Sequence, residues 1–314
     1  MKKLKTAVVG VGYLGRFHAE KFAVLPEAEL VAVADIDPAA ARRVAQKLGI
    51  RAVTDYRELL DQVDAVSIVV PTPQHYTVAS DFLNHAVHVL LEKPITATLE
   101  QAQALVELAT RRQRVLQIGH LERFNPAVLA MAGSVAQPLF IEVHRLSPFQ
   151  PRGTDVSVIL DLMIHDIDIV LNLVNSPIRR IDASGAPVLS ADIDIANVRI
   201  QFENHCVANL TASRVSLKAE RKLRLFQRDA CITVDFRNRK LGIYRKDPER
   251  LQITAEEKLF AEGDALQNEI AAFLQAIRDG TPPVVSGEDG KRALEVALEV
   301  TRQLALALPL LIRS

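Results

Sequence analysis

Short apolar runs alternate with amphipathic stretches along the first third of the chain. The runs have the length and β-branched content of buried strands, and they cover residues 6–9, 29–35, 52–53, 65–70, 87–91 and 115–118. Strands that alternate with helices at this spacing form βαβ units, in which parallel strands share one sheet. We therefore predict a doubly wound α/β domain with a parallel sheet over residues 1–119.

The pattern changes in the second part of the chain, where short apolar runs follow one another at hairpin spacing. They cover residues 139–145, 178–183, 194–202, 207–215, 221–226, 231–236 and 241–244. Such strands predict a large, open, mostly antiparallel sheet, one face of which packs on helix. The apolar positions change phase within residues 193–203, which predicts either a β-bulge or a strand that starts later.

Two amphipathic helices, residues 264–278 and 288–308, complete a predicted α+β domain that covers residues 120–314.

Composition narrows the class of protein. The 314 residues are 49% hydrophobic, and the apolar tail at residues 304–312 is half the roughly 18 residues of a membrane span. With 38 basic and 38 acidic residues, no net charge attracts nucleic acid or anionic lipid. Cys206 and Cys231 lack metal-ligand spacing, and the apolar run after Met1 is too short for a secretory signal. We expect a cytoplasmic protein with reduced thiols and no metal site.

A glycine loop follows the first strand directly. Gly10, Gly12 and Gly15 form a G-x-G-x-x-G between a strand and a helix, which is the context of a dinucleotide fingerprint. Asp35 ends the second strand twenty residues later, where a carboxylate accepts from both ribose hydroxyls and repels a 2'-phosphate. The alternative is an ordinary glycine turn with a helix-capping Asp. We predict a Rossmann domain that binds NAD in preference to NADP.

Two more strands deliver polar residues to the same edge of this sheet. Pro-Thr-Pro-Gln-His follows one strand at residues 71–75, and Glu-Lys-Pro follows the next at residues 92–94. His75 either starts the next helix or contacts the cofactor. Lys93 is aimed at the cofactor cleft by the stiff backbone before Pro94, unless this tripeptide is only a solvated turn.

Asp161 and His165 lie four residues apart in the apolar run 156–174, so a helix places both on one face. The alternative is an ordinary helix in which these few polar side chains have hydrogen-bond partners within the fold. Because the run already supplies a buried apolar stripe, and Asp168 also lies beside it, we favour a helix that forms one wall of a site.

Taken in order, these motifs resemble the Gfo/Idh/MocA (glucose-fructose oxidoreductase and inositol dehydrogenase) family over the whole chain. The resemblance implies a Rossmann domain, a C-terminal α/β domain on an open sheet, and a catalytic set formed by Lys93, Asp161 and His165. It also implies a homodimer or homotetramer formed face to face through that sheet. Many members have glycines before the Asp and one between the Asp and the His. This chain has Met163 and residues 155–157 (Asp-Val-Ser) there, which argues against a small free polyol as substrate.

The predicted cofactor contacts combine the fingerprint with the resemblance. They are Gly10, Gly12, Tyr13, Leu14, Gly15, Asp35, Pro71, Thr72, His75, Glu92 and Lys93.

Segments 119–126 and 161–168 are similar to members that oxidise the 3-hydroxyl of UDP-N-acetylglucosamine. Such a substrate carries a diphosphate, which a bidentate guanidinium suits. We predict substrate contacts from Arg123, Asn125 and Arg214, together with Asp161 and His165. For the two arginines, a solvated loop end is the alternative.

The expected reaction is oxidation of a secondary hydroxyl on a sugar. His165 would act as general base, Lys93 would stabilise the alkoxide, and Asp161 would hold the substrate hydroxyl or orient the imidazole. We expect Lys93 and His165 to converge on the nicotinamide. The alternatives are a dehydrogenase of a free cyclitol or monosaccharide, and a non-catalytic NAD-binding regulator.

Overall fold

The computed structural model describes residues 3–149, 157–247, 252–261 and 263–311, the last four by backbone only. The chain divides into two compact units. The first comprises residues 1–121 and 264–291, and the second comprises residues 122–263 and 292–314.

The first unit is a doubly wound parallel sheet with strand order β3-β2-β1-β4-β5-β6, which confirms the predicted Rossmann architecture. Its strands are β1 (Leu4–Val9), β2 (Ala28–Ala34), β3 (Arg51–Val53), β4 (Ala65–Ile68), β5 (His88–Glu92) and β6 (Leu116–Gly119). Its helices are α1 (Gly15–Val24), α2 (Pro38–Leu48), α3 (Thr72–Asn84), α4 (Leu99–Arg112) and α7 (Ala265–Asp279). A 3₁₀ turn covers Tyr56–Leu59.

Local signals explain where these helices begin. Asp37 caps α2 by accepting from the backbone N–H of Ala39, and Thr98 caps α4 by accepting from that of Gln101. Helix α7 was predicted in the second domain, but the structure places it in the first unit. Its Ile270 and Phe273 are fully buried in the core that also contains Val8 and Leu90. Periodicity reveals an apolar helix face but not which sheet covers it.

The second unit is an eight-stranded sheet with strand order β14-β13-β12-β11-β7-β10-β9-β8. Its strands are β7 (Phe140–Leu146), β8 (Ile178–Ala186), β9 (Ile195–Phe202), β10 (Val207–Ser213), β11 (Glu220–Phe226), β12 (Ala230–Asp235), β13 (Lys240–Lys246) and β14 (Ile253–Leu259). Strands β7 and β10 pair in parallel and the other neighbours pair antiparallel, which confirms the predicted open sheet. Its helices are α5 (Pro126–Ala132), α6 (Ile164–Val174) and α8 (Gly287–Leu311) from residue 292 onward.

The phase change in residues 193–203 reflects a strand that starts late. Strand β9 begins at Ile195, buries Ala196, Val198 and Ile200 in alternation, and pairs with β10 without interruption. Strand β14 was not predicted, because every residue of this edge strand is exposed and no apolar alternation marks it.

Glu269 is an uncompensated carboxyl in the core of the first unit. Its side chain is 0% exposed, and neither carboxyl oxygen has a hydrogen-bond partner among the described residues. Burial and the negative charge of Glu92 raise the pKa of Glu269 well above its ordinary value. The folded protein therefore favours the neutral, protonated form of this carboxyl more strongly than the unfolded chain does.

This pKa makes the stability of the protein depend on pH. Above the unfolded pKa, the folded chain keeps a proton that the unfolded chain releases, so the free energy of unfolding falls as pH rises. Glu269→Gln keeps the shape of the neutral acid without titrating. We expect the variant to be more stable than the parent at about pH 8 to 9, with the difference vanishing near about pH 4.

Urea unfolding across this pH range measures the effect, with the exposed Glu29→Gln as the matched control. A stability difference that does not change with pH would contradict the raised pKa of Glu269.

Candidate active site

The glycine loop between β1 and α1 is shaped for close approach by a ligand. Gly10 has φ +83°, and a Cβ there would lie 2.5 Å from the Val69 carbonyl oxygen. A Cβ on Gly15 would lie 1.8 Å from the Gly10 carbonyl oxygen, whereas a Cβ on Gly12 would meet open space. Leu14, at the start of α1, provides no side-chain cap, and the first turn has no acidic residue. The helix N-terminus therefore suits the diphosphate of a dinucleotide.

A cavity of about 420 Å³ adjoins this loop and is lined by Gly10, Gly12, Asp35, Tyr56 and Pro71 among others. The Asp35 carboxylate accepts from the backbone N–H of Val11 at 2.8 Å and from that of Asp37 at 2.9 Å. These bonds fix the carboxylate at the cavity wall and leave it acceptor capacity for ribose hydroxyls. The residues present fit the adenosine half of a dinucleotide.

The other predicted cofactor contacts divide into two groups. Tyr13 and Leu14 project from the glycine loop, 67% and 38% exposed. Thr72 is the first residue of α3, and Pro71 precedes it. His75 is 1% exposed, and its ring nitrogens lie 2.9 Å from the carbonyl oxygens of Val70 and Pro94. Because both nitrogens are engaged within the fold, only the ring carbons of His75 remain for a cofactor contact.

Lys93 follows β5 directly, and its peptide bond to Pro94 is cis. Its backbone N–H donates to Oε2 of Glu92 at 3.2 Å, while Oε1 of Glu92 lies 3.2 Å from Nε2 of His18. Burial opposes the charge of Glu92, but His18 and Lys93 outweigh it, so the pKa of Glu92 lies below its ordinary value. Glu92, also predicted as a cofactor contact, thus has both oxygens engaged inside the unit.

Asp161 lies within an irregular turn of the helix, and His165 lies just after that turn. A π-helical turn, Ile159–Met163, precedes α6, and the N–H of Ile164 donates to the Ile159 carbonyl, five residues back. Asp161 lies in this turn and is exposed, whereas His165 is half-buried on α6. The two side chains therefore do not have the simple i, i+4 relation of a regular α-helix. Such turns occur frequently at functional sites. Residues 155 and 156 of the predicted departure lie outside the described residues.

Two buried ion pairs hold α6, through carboxylates one and three residues after His165. Arg145 of β7 donates from Nε and Nη2 to the Asp166 carboxylate at 2.8 and 2.7 Å, and from Nη1 to Glu122 at 2.9 Å. Arg123 donates to Asp168 at 2.7 and 2.9 Å. Asp166 and Asp168 are 2% and 1% exposed. The sequence pattern suggested that Asp168 lies on the wall of a site, but the structure buries it in an ion pair.

Burial opposes the charge of Arg145, but Asp166 and Glu122 outweigh it and raise the pKa of Arg145. Sequence reasoning missed Arg145, Asp166 and Glu122. The one available signal was that Asp166 is adjacent to His165 in an otherwise apolar run.

The predicted substrate contacts Arg123, Asn125 and Arg214 have partners within the fold. Two nitrogens of Arg123 are bound to Asp168. Asn125 caps α5 by accepting from Ala127, and its amide donates to the Phe236 carbonyl at 3.2 Å. Nε of Arg214 lies 3.8 Å from Oδ1 of Asp194.

Asp194 is itself held by several donors. Burial opposes its charge, but hydrogen bonds from the Ser190 hydroxyl and from three backbone N–H groups lower the pKa of Asp194 to about 2.

The candidate catalytic residues belong to different units. Lys93 lies in the first unit, and Asp161 and His165 lie in the second. That they act as one set stays a prediction. Within the part of the chain that the structure describes, no group of three or more His, Cys, Asp or Glu side chains is placed to hold a metal ion. No described helix combines the length and apolarity that crossing a membrane requires.

Comparisons with known proteins cover nearly the whole chain. The GFO/IDH/MocA oxidoreductase family model, NAD-binding Rossmann fold, matches residues 4–120, and the model of the GFO/IDH/MocA C-terminal domain matches residues 129–233. UDP-N-acetylglucosamine 3-dehydrogenase of Acidithiobacillus ferrooxidans is 41% identical over 96% of this chain and 97% of its own length. The NAD⁺-dependent scyllo-inositol 2-dehydrogenase of Bacillus subtilis is 27% identical over 98% of this chain and 96% of its own.

Solved structures agree with these matches. A structure of the Acidithiobacillus ferrooxidans enzyme has a TM-score of 0.91 and 40% identity, and covers 97% of this chain and 98% of its own. Levoglucosan dehydrogenase in complex with NADH and levoglucosan has a TM-score of 0.88 at 18% identity, with 97% and 98% coverage, which supports the fold alone.

The ion pair between Arg145 and Asp166 can be tested by removing one or both partners. Arg145→Met leaves a buried carboxylate without its cation, so we expect the free energy of unfolding to fall by roughly 3 to 5 kcal/mol. Arg145→Met combined with Asp166→Leu removes both charges and should cost clearly less. Urea unfolding measures both effects.

The exposed pair Arg180–Asp182 provides the control, where Arg180→Met should change stability by less than about 1 kcal/mol. Equal losses in the single and double variants would show that the pair does not constrain α6.

Proposed function

Because the chain belongs to the GFO/IDH/MocA oxidoreductase family, we propose that it oxidises the 3-hydroxyl of a UDP-N-acetylhexosamine with NAD. The observation that carries this proposal is the 41% identity, over 96% of the chain, with a UDP-N-acetylglucosamine 3-dehydrogenase. The glycine loop, the adjoining cavity and the presence of Lys93, Asp161 and His165 support it.

Each residue of the proposed catalytic set has a chemical role. His165 accepts the proton of the sugar hydroxyl, since an imidazole titrates near neutral pH. Lys93, as an ammonium, stabilises the alkoxide that develops on the same oxygen. Asp161, exposed in the π-helical turn, holds the substrate hydroxyl in place or orients the imidazole. When bound, the nicotinamide supplies the acceptor for the hydride.

The observed contacts refine the roles that we propose for the substrate residues. Arg123 and Asn125 are engaged with Asp168 and Phe236, so we propose that they shape the sugar site by holding α6 and α5 in place. Arg214 makes a looser contact, 3.8 Å from Asp194, and is the guanidinium that we propose for a substrate phosphate.

We also propose that the protein is a homodimer or homotetramer assembled through the open sheet. One face of that sheet covers the core of the second unit. The opposite face carries polar cross-strand pairs such as Asn197 with Thr211 and Arg224 with Glu142, which a second copy can cover. Light scattering after size-exclusion chromatography tests this assembly, and a monomer would overturn it.

The free thiols of Cys206 and Cys231 support action in the cytoplasm, which cell fractionation tests.

The substrate can be tested by following NADH absorbance with a panel of UDP-sugars, inositols and free hexoses. We expect turnover with UDP-N-acetylglucosamine and product oxidised at carbon 3. A thermal-shift screen provides a second readout, because a ligand at 100 times its Kd stabilises by roughly 2.7 kcal/mol. Turnover with inositol or glucose but not with UDP-sugars would replace the proposed substrate. Binding of NAD without turnover of any sugar would favour a regulator.

The catalytic roles predict a specific pattern of losses. Lys93→Ala and His165→Ala should each lower kcat by roughly 10²-fold or more, because each removes a group that acts on the reacting oxygen. Binding of NADH, followed by fluorescence titration, should remain within about threefold of the parent. Full turnover in either variant would remove that residue from the mechanism.

The preference for NAD is expected to depend on the charge of Asp35. The unsubstituted enzyme should have a higher kcat/KM with NAD than with NADP, and Asp35→Asn should reduce this ratio by about tenfold or more. The substitution keeps the side chain's size and an acceptor oxygen while removing its repulsion of a 2'-phosphate. Kinetics with both cofactors measure the ratio, and an unchanged ratio would contradict this role.

A further inference from the structure

A chain of three buried side chains crosses the interior of the first unit. Ser67 on β4 places its hydroxyl oxygen 2.8 Å from Nδ1 of His18 on α1. Nε2 of His18 in turn lies 3.2 Å from Oε1 of Glu92, at the end of β5. Ser67 and His18 are both 0% exposed. The three side chains therefore join strands β4 and β5 to helix α1, and Glu92, the least buried of them, is 12% exposed.

A serine, a histidine and a glutamate in this order also occur in hydrolytic triads, where the hydroxyl must reach a substrate. Ser67 lies inside β4, with β1 and β5 paired on either side, and no substrate can reach its hydroxyl. The role of the chain must therefore lie at its other end, where Glu92 meets Lys93.

The protonation of His18 follows from its two neighbours. A carboxylate only accepts, so the imidazole must direct an N–H from Nε2 towards Glu92. In the neutral ring, Nδ1 then accepts from the Ser67 hydroxyl, and in the imidazolium it donates to the same oxygen. Both forms satisfy the chain. The 3.2 Å approach of Nε2 to Glu92 is a polar contact without the alignment of a hydrogen bond.

Glu92 connects His18 to the backbone of Lys93. Its second oxygen accepts from the backbone N–H of Lys93 at 3.2 Å. A side chain at Gly119 on β6 would place a Cβ 3.0 Å from the carboxylate, so the glycine leaves the space that Glu92 occupies. The charged or titratable groups that act on Glu92 are His18 of α1, Lys93 itself and Glu269 of α7. Among these groups, His18 and Lys93 are the ones that favour the charged form of Glu92.

We propose that His18 is a positioning residue for Lys93 and acts through the carboxylate of Glu92. Helix α1 starts at the glycine loop, so the helix that meets the dinucleotide phosphates is joined by buried contacts to the strand end that carries the lysine. The inference rests on the proposed role of Lys93. It adds that the placement of this lysine depends on a residue that touches neither substrate nor cofactor.

The test compares two substitutions of His18. His18→Leu removes the N–H that faces Glu92 and should lower kcat by roughly tenfold to hundredfold, while KM for NAD changes by less than about threefold. His18→Gln keeps an N–H for Glu92 and should restore kcat to within about threefold of the parent. The exposed His85→Leu is the matched control and should leave kcat unchanged.

A double-mutant cycle separates positioning from general destabilisation. If His18 acts through Lys93, His18→Leu should have no further effect on the residual kcat of Lys93→Ala. The same fold loss in both backgrounds, or no loss in the parent, would overturn the inference. Full turnover in Lys93→Ala alone would instead overturn the proposed role of Lys93, so the two failures are distinguishable.

A second readout needs no substrate. The rate at which Lys93 reacts with an amine reagent, read by mass spectrometry, should rise in His18→Leu and stay unchanged in His85→Leu, because a lysine that Glu92 positions less firmly is more accessible to the reagent. Should His18→Leu fail to fold, Ser67→Ala, which removes the hydroxyl that orients the imidazole, should raise the rate by a smaller factor. His18→Gln keeps an N–H for Glu92, so its rate should stay unchanged. An unchanged rate in Ser67→Ala would contradict the proposed link between Ser67 and Lys93.

Discussion

The buried bidentate contact between Arg145 and Asp166 is the interaction on which the second unit's part of the site depends. Taking two charges out of water is unfavourable, and their attraction offsets this loss only when the geometry is good. Distances of 2.7 and 2.8 Å, with Glu122 as a third partner, meet that condition. A rotation of α6 would separate the charges inside the core. The helix is therefore held in one orientation, and so is His165, the residue before Asp166.

The first unit uses buried polar contacts in a similar way. An apolar core tolerates small shifts of one side chain against another, because hydrophobic attraction has no preferred direction. Ser67, His18 and Glu92 add directional contacts at the point where β5 ends and Lys93 begins. In both units, the side chain proposed for chemistry follows or precedes a carboxylate that is fixed inside the fold.

Periodicity and short motifs were sufficient to predict the strand and helix pattern, the glycine loop and the acid at Asp35, because these depend on neighbours in sequence. Pairings across the chain were not predictable. Arg145 is 21 residues from Asp166, and Arg123 is 45 from Asp168. A charge pattern does not reveal which acid and which base are buried together. For the same reason, helix α7 was predicted in the second domain although it belongs to the first unit, and Arg123 looked available to a ligand. Strand β14 escaped prediction because none of its side chains is buried.

The π-helical turn Ile159–Met163 contains one residue more than regular α-helical hydrogen bonding would accommodate. Deleting a single residue there would let uninterrupted α-helical bonds form. If the deleted residue lay between Asp161 and His165, the two would be three residues apart in a regular α-helix instead of four residues apart across the wider turn. Asp161 would then leave its present direction relative to His165. In the proposed mechanism, a shorter segment would therefore gain helix stability at the expense of the arrangement of Asp161 and His165.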